Sequence, residues 1–158
     1  MHEDSCNLFE LNKWDEKTHK WMNKLFIKES IPQFFHIPLP GIYRRTLVRM
    51  WKKAKNENAT PDMKDFLLLA YDPSPWKSDL YMLVTGDVPL ANNVRLSGFF
   101  FSKVFDGPYS KIPQFIREMD IMLARDNKLA VKYYFYFATC PECAKKYGHN
   151  YIVAFAEV

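Results

Sequence analysis

A chain of 158 residues, 48% apolar and 16% aromatic, carries enough hydrophobic material for one well-buried core and too little length for two comfortable ones. Its 22 Lys and Arg against 18 Asp and Glu leave a net charge of +4, too mild to point to nucleic acid without a localised patch. No run approaches the roughly 18 apolar residues of a spanning helix, and the opening MHEDSCNLFE is acidic where a secretory leader is basic and then apolar, which points to a soluble cytoplasmic protein with no membrane partner.

Residues 7–26, NLFELNKWDEKTHKWMNKLF, place Leu8, Leu11, Trp14, Trp21 and Leu25 at helical spacing with charges between them. The spacing predicts an amphipathic helix, so that residues 1–30 form an N-terminal helical extension. The mixed charges Asp15, Glu16, Lys17, Lys20 and Lys24 argue against an interfacial membrane helix, which presents a more uniformly basic polar face. In SIPQFFHIPLPG, residues 30–41, Pro32, Pro38 and Pro40 exclude helix and predict a short edge strand leading into a turn.

From Gly41, GIYRRTLVRMWKKAKNENATPD reads as a helix with Tyr43, Leu47, Met50, Trp51 and Ala54 on one side and Arg44, Arg45, Arg49, Lys52 and Lys55 largely on the other. A solvated surface explains that basic face as well as phosphate binding does. Two strands follow, DFLLLAYD (65–72) and DLYMLVTGDV (79–88), joined by the turn PSPWKS. The second half repeats the order. VRLSGFFFSKVFDGPY (94–109) is a long strand ending in a Gly-Pro turn. SKIPQFIREMDIMLARDN (110–127) is a helix with Ile112, Phe115, Ile116, Met119, Met122 and Leu123 facing inward, and VKYYFYFATC (131–140) and NYIVAFAEV (150–158) are strands.

The two halves also match residue by residue. Gly41 and Tyr43 of PGIYRR correspond to Gly107 and Tyr109 of DGPYSK, and the next strand begins at Asp65 and Val131, the same interval beyond each glycine. YMLVTGDV (81–88) then lies over YIVAFAEV (151–158), so that Asp87 matches Glu157 on paired strands. Duplication of a half-domain is the economical explanation. At the turn, Gly107 supplies a backbone angle closed to other residues, and Pro108 fixes the next one. The expected fold is α+β, with two pseudo-symmetric strand-helix-strand-strand repeats (about 31–90 and 91–158) forming an antiparallel sheet, helices on one face, plus the N-terminal helix.

This ordered double copy, GIY then GPY, each opening an amphipathic helix followed by two strands, resembles the gyrase-inhibitor-like (GyrI-like) small-molecule-binding domain over residues 31–158. That family comprises effector domains of multidrug-responsive activators, stand-alone binders and some hydrolases of strained small molecules. The resemblance implies an aromatic-lined ligand cleft between the repeats. It also implies a glutamate on the penultimate strand shortly before a proline, and here the residues before Pro141 are YYFYFAT, with no carboxylate.

Strand alternation puts Tyr134, Tyr136 and Ala138 on one face and Tyr133, Phe135 and Phe137 on the other, and puts Phe99 and Phe101 opposite Phe100. Tyrosine suits a cleft, because its ring stacks on a ligand while its hydroxyl directs one hydrogen bond. The expected lining is Tyr134 and Tyr136 with Phe99 and Phe101, joined by Tyr81, Trp51 and Tyr109; core packing is the competing explanation for each ring.

Nucleophile-elbow, phosphate-loop and His-Glu-x-x-His signatures are absent from the sequence. The candidate catalytic groups are Glu157 and Asp87, whose carboxyls a tyrosine-lined pocket would push up towards neutrality, and His36, a base if buried beside a carboxylate. Cys140, Cys143 and His149 in ATCPECAKKYGHNY offer part of a zinc set, with the fourth ligand left to His2, Cys6 or water. Three cysteines in all argue against a disulfide framework, and an exposed hairpin with ordinary thiols is the simpler expectation. The residues before the repeats hold no helix-turn-helix pair. The reading is a cofactor-free binder of an apolar or aromatic organic molecule; the alternatives are a hydrolase using the same cleft and a metal- or thiol-dependent regulator at Cys140 and Cys143.

Overall fold

Residues 17–34 form one strand, where a helix was expected within residues 1–30 and a short edge strand after it. The computed structural model describes residues 9–139 and 141–158. Among the described residues of the N-terminal stretch, helix survives only as the single turn α1, Leu11–Trp14, before β1, Lys17–Phe34. Two features of β1 hide its period of two. Asn23 adopts φ 52°, which Asn tolerates better than most residues, and alternation restarts there. Phe26 and Ile27 are both buried, so both faces of the strand are covered and the sequence shows an apolar run rather than alternation.

The remaining elements are β2 (Ile37–Pro38), α2 (Ile42–Asn56), β3 (Leu68–Ser74), β4 (Lys77–Leu83), β5 (Asn92–Asp106), α3 (Ile112–Arg125), β6 (Lys132–Phe137), α4 (Pro141–Tyr147) and β7 (Tyr151–Glu157). The fold is α+β. No helix among the described residues is long and apolar enough to cross a membrane. The chain divides into two compact units, one of Met22–Ser97 and the other of Gly98–Val158 with the described part of Met1–Trp21.

In the Met22–Ser97 unit, β4 lies between β1 and β3, antiparallel to both, and β2 pairs with the end of β1. Register puts Lys28 opposite Tyr81 and Ser30 opposite Asp79 on one face, and Ile27 opposite Met82 and Glu29 opposite Leu80 on the other. Helix α2 lies over the second face, where Arg49 and Lys53 reach Glu29. β4 ends at Leu83, so Asp87 falls in the following loop, exposed and 3.4 Å from Arg95, and not on a strand as Glu157 does.

In the other unit, β7 lies between β5 and β6, antiparallel to both. Helix α3 buries Phe115, Met119 and Leu123 against Phe105, Ile152, Ala154 and Ala156, the Phe, Met, Leu and Ile side chains each contributing about 1.5–3 kcal/mol by burial. The two turn glycines do different jobs. Gly41 has φ 75°, the left-handed angle glycine favours. Gly107 does not; a Cβ there would meet the Phe115 ring at 3.2 Å, a tight approach that favours glycine by packing. The expected hairpin after β6 is a short helix, α4, with Cys143 buried on it.

Candidate functional site

Tyr134 and Tyr136 do share a face of β6, and β7 extends it: Tyr134 lies opposite Phe155, Tyr136 opposite Val153, and Lys132 opposite Glu157. On the far side of β7, β5 sets Phe100 opposite Glu157 and Ser102 opposite Phe155. The face is therefore built of Lys132, Tyr134 and Tyr136, then Glu157 and Phe155, then Phe100 and Ser102. Trp14 and residues 19–21 of β1 add to it. Trp21 stacks on Phe100 at 4.2 Å between centroids, and Trp14, His19 and Trp21 lie 5.4, 5.9 and 5.8 Å from Phe155.

Phe100, not its two neighbours, joins this cluster. Phe101 packs beneath α3 on the opposite face, and Phe99 is half-exposed with the Lys20 ammonium 5.9 Å above its ring. The alternation was correct, but a strand alone does not show which parity faces the helix. Of the other expected lining residues, Tyr109 meets Phe137 edge-on and Trp51 meets Phe66, while Tyr81 belongs to the Met22–Ser97 unit. Trp14, His19 and Trp21 were missed because their stretch was read as helix; the spacing of His19 and Trp21, two apart, was the available signal.

The interior of the face is closed to solvent: Phe155 is 0%, Phe100 1% and Tyr134 2% exposed. Its Glu157 end is not, since Glu157 and Lys132 are both partly exposed. Among the described residues no ion pair or side-chain hydrogen bond holds the Glu157 carboxylate. The Lys132 ammonium lies 5.2 Å over the Tyr134 ring. Burial pushes the Tyr136 hydroxyl up to about 12, so at neutral pH it donates a proton to a hydrogen bond and does not serve as a base.

A serine and a histidine also meet here, His19 Nε2 lying 2.7 Å from Ser102 Oγ. Ser102 is fully buried and donates its hydroxyl proton to the Trp14 carbonyl at 2.6 Å, which leaves His19 as donor to Ser102. The pair fastens α1 to the sheet and does not form a nucleophile and base.

The Met22–Ser97 unit holds two further polar groups. Asp79, almost wholly buried, accepts from the Ser30 hydroxyl at 2.6 Å and pairs with Lys28 at 3.3 Å and Lys77 at 3.6 Å. Burial raises its carboxyl, but these partners outweigh burial and hold it below the ordinary value. On the helix side, a cavity of about 170 Å3 is lined by Ile27, Glu29, Met50, Lys53, Leu90 and Asn92. Glu29 Oε1 accepts from Arg49, while its buried Oε2 finds no partner among the described residues.

The histidines and cysteines are placed differently from expectation. His36 Nδ1 lies 2.8 Å from Asp72, yet its side chain is 57% exposed and lacks the burial that basicity was to rest on. His149 Nδ1 is taken by Asp106 at 2.7 Å, and its ring stacks on Tyr151. Cys143 is disulfide-bonded, not an ordinary thiol, and in that state its sulfur is no thiolate ligand. Cys140 and the alternative ligands His2 and Cys6 lie outside the described residues, among which no group of three metal-ligating side chains occurs.

A family model described as bacterial hydrolase matches residues 1–158. The chain belongs to the bacterial hydrolase family. No curated protein matches it. Among solved structures, the family member is similar to the EcmrR C-terminal domain, with a TM-score of 0.66 and 7% identity over 91% of this chain and 96% of that one. It is also similar to a hydrolase from Listeria innocua, with a TM-score of 0.63 and 11% identity over 90% and 92% of the two chains. An uncharacterized conserved protein from Listeria innocua gives 0.62 and 10% over the same shares. At these identities the likeness shows the fold.

Proposed function

We propose that this member of the bacterial hydrolase family hydrolyses a small apolar or planar organic molecule, with Glu157 as general base. The observation that carries the reading is the position of Glu157. It is a partly exposed carboxylate, engaged by no described ion pair, directly across the sheet from Phe100 and Lys132 and at the end of a face of packed aromatic rings. An apolar substrate would reach this end of the face by displacing the partly exposed Lys132 side chain from over the Tyr134 ring, and the carboxylate takes a proton from water as the water oxygen bonds to the electrophilic carbon. The bond to the leaving group breaks, and Glu157 returns the proton to it.

Two finer points belong to the same reading. The family label and the likeness to a hydrolase and to the EcmrR C-terminal domain support membership of the GyrI-like group. The matching order β1-α2-β3-β4 and β5-α3-β6-β7 supports duplication of a half-domain. The Glu29 cavity offers a second place for the chemistry, favoured by its unpartnered carboxylate oxygen.

A hydrolysis screen with aryl esters, lactones and strained-ring compounds, followed by variants of the two carboxylates, tests the proposal. Glu157→Gln lowers kcat by about 100-fold or more while substrate affinity holds, as expected on removal of a general base. Loss of turnover in Glu29→Gln instead moves the site to the cavity. Binding of such compounds without turnover reduces the protein to a binder and ends the hydrolase reading.

A further inference from the structure

The Met22–Ser97 unit exposes an aromatic tip that neither the fold nor the proposed hydrolysis uses. Two hairpin ends meet there, the Phe35–His36 turn between β1 and β2 and the Pro75–Trp76 turn between β3 and β4. Phe34 is 59%, Phe35 61%, Ile37 68% and Trp76 51% exposed, far more than rings of this size usually show. The rings pack on one another, with centroids 4.6 Å apart for Phe34 and Phe35 and 4.9 Å for Phe35 and Trp76.

The tip is rigidly held. Gln33 N donates to the Trp76 carbonyl and His36 N to that of Pro75, both at 2.9 Å. The buried Gln33 side chain donates to the Ser74 and Lys77 carbonyls, and His36 is fastened to Asp72. This scaffold keeps Phe35 at φ 48° and His36 at 67°, angles that cost a bulky residue. A sequence that strains its backbone to display a phenylalanine to water is spending stability on the display.

We propose that this tip seats the protein on an anionic lipid surface, the rings entering the headgroup region and α2 supplying the cations. Charge decides the occupant. From Ser30 to Asn56 there is no Asp or Glu, while Arg44, Arg45, Arg49, Lys52, Lys53 and Lys55 follow the tip directly. Arg49 and Lys53 answer Glu29, Lys55 has Glu57 two residues on, and Arg44, Arg45 and Lys52 stand exposed with no carboxylate within four residues along the chain. Aromatic side chains beside a basic stretch are what an anionic bilayer interface attracts.

A second copy of the chain fits less well. Three half-exposed rings and Ile37 offer roughly 450 Å2 of apolar area, short of the ~800 Å2 per partner of a stable interface. Pro38 and Pro40 withhold the donors that edge-to-edge strand pairing needs. Nucleic acid fits less well too, because the rings are packed against one another instead of laid out for bases. The expectation of no membrane partner rested on the span length and on the N-terminal charges, neither of which bears on this tip.

The test is sedimentation of the whole protein with phosphatidylcholine vesicles containing a quarter phosphatidylserine, against phosphatidylcholine alone. Binding is expected to be about tenfold stronger with phosphatidylserine and to weaken with salt. Phe35→Asn with Trp76→Ser should lower it about tenfold, and Arg44→Glu with Arg45→Glu should erase the phosphatidylserine preference. Asn accepts the left-handed angle, so Phe35→Asn alone should keep or raise the melting temperature, which separates lost display from lost folding. Bromine-labelled acyl chains should quench the tryptophan fluorescence of the unaltered protein. No sedimentation, equal sedimentation of the tip variant, a tip-dependent dimer, or tip-independent capture of RNA overturns the proposal.

Discussion

Phe155 is where several side chains of different sequence origin converge. It is fully buried, with the rings of Trp14, His19 and Trp21 within 6 Å and Tyr134 directly across the strand pair. Phe155→Ala removes a ring whose space its neighbours, themselves large and stacked, cannot refill, and should cost about 3–5 kcal/mol. The denaturant midpoint should fall with little change in slope. Phe99→Ala, two strands' worth of pattern away and half-exposed, should cost under about 1 kcal/mol. The contrast shows what alternation can and cannot yield. The sequence displays that Tyr134 and Tyr136 share a face, because that follows from the pleat. Choosing Phe100 over Phe99 and Phe101 needs the neighbour's register, and the register is set by β7, some fifty residues later.

α3 was legible because one face alone is buried, and β7, buried on both faces, as a short apolar run. α3 carries Phe115, Met119 and Leu123 at the spacing its helix requires, and β5 and β7 fall close to their expected places. β1 was not legible, because its pattern restarts at Asn23 and both its faces are covered beyond it. α4 was hidden by Pro141, read as a corner although proline suits the first turn of a helix. The β4–β5 connection shows a loop fixed by a single side chain. Asn93 accepts from Val88 N at 2.9 Å and donates to the carbonyls of Val88 and Ala91, holding Leu90 at φ 67° beside the Glu29 cavity. Asn93→Ala strands the Val88 amide on a buried residue and should cost about 1–3 kcal/mol. Hydrogen exchange of residues 87–92 should rise in that variant before exchange of β3 and β4 does, since the lost bonds are local.

At the scale of the whole chain, two carboxylates make stability depend on acidity. Asp79 is held below its ordinary range because Ser30, Lys28 and Lys77 outweigh its burial, and Asp106 because His149 and the Asn150 amide bond to it. A carboxyl depressed in the folded state binds fewer protons there than in the unfolded chain, so its contribution is present above the unfolded value of about 3.9 and is lost as pH falls through the folded one. Lys28 behaves conversely. Burial lowers it, Tyr81 and Asp79 raise it by more, and its contribution is present below the unfolded value of about 10.4 and lost as pH rises through the folded one. Stability should therefore be level across the neutral range, fall below about pH 4 and fall again in strong alkali. Denaturant unfolding measured at stepped pH gives the curve. Asp79→Asn should lower stability at neutral pH, since it takes the anion away from the Ser30 hydroxyl and the partly buried Lys28 ammonium, and should flatten the acid limb. Asp106→Asn should flatten it less, because Asp106 is nearly half-exposed and solvent screens its pair with His149. The two residues belong to different units, so an acid limb that either substitution flattens alone identifies the unit whose unfolding it reports.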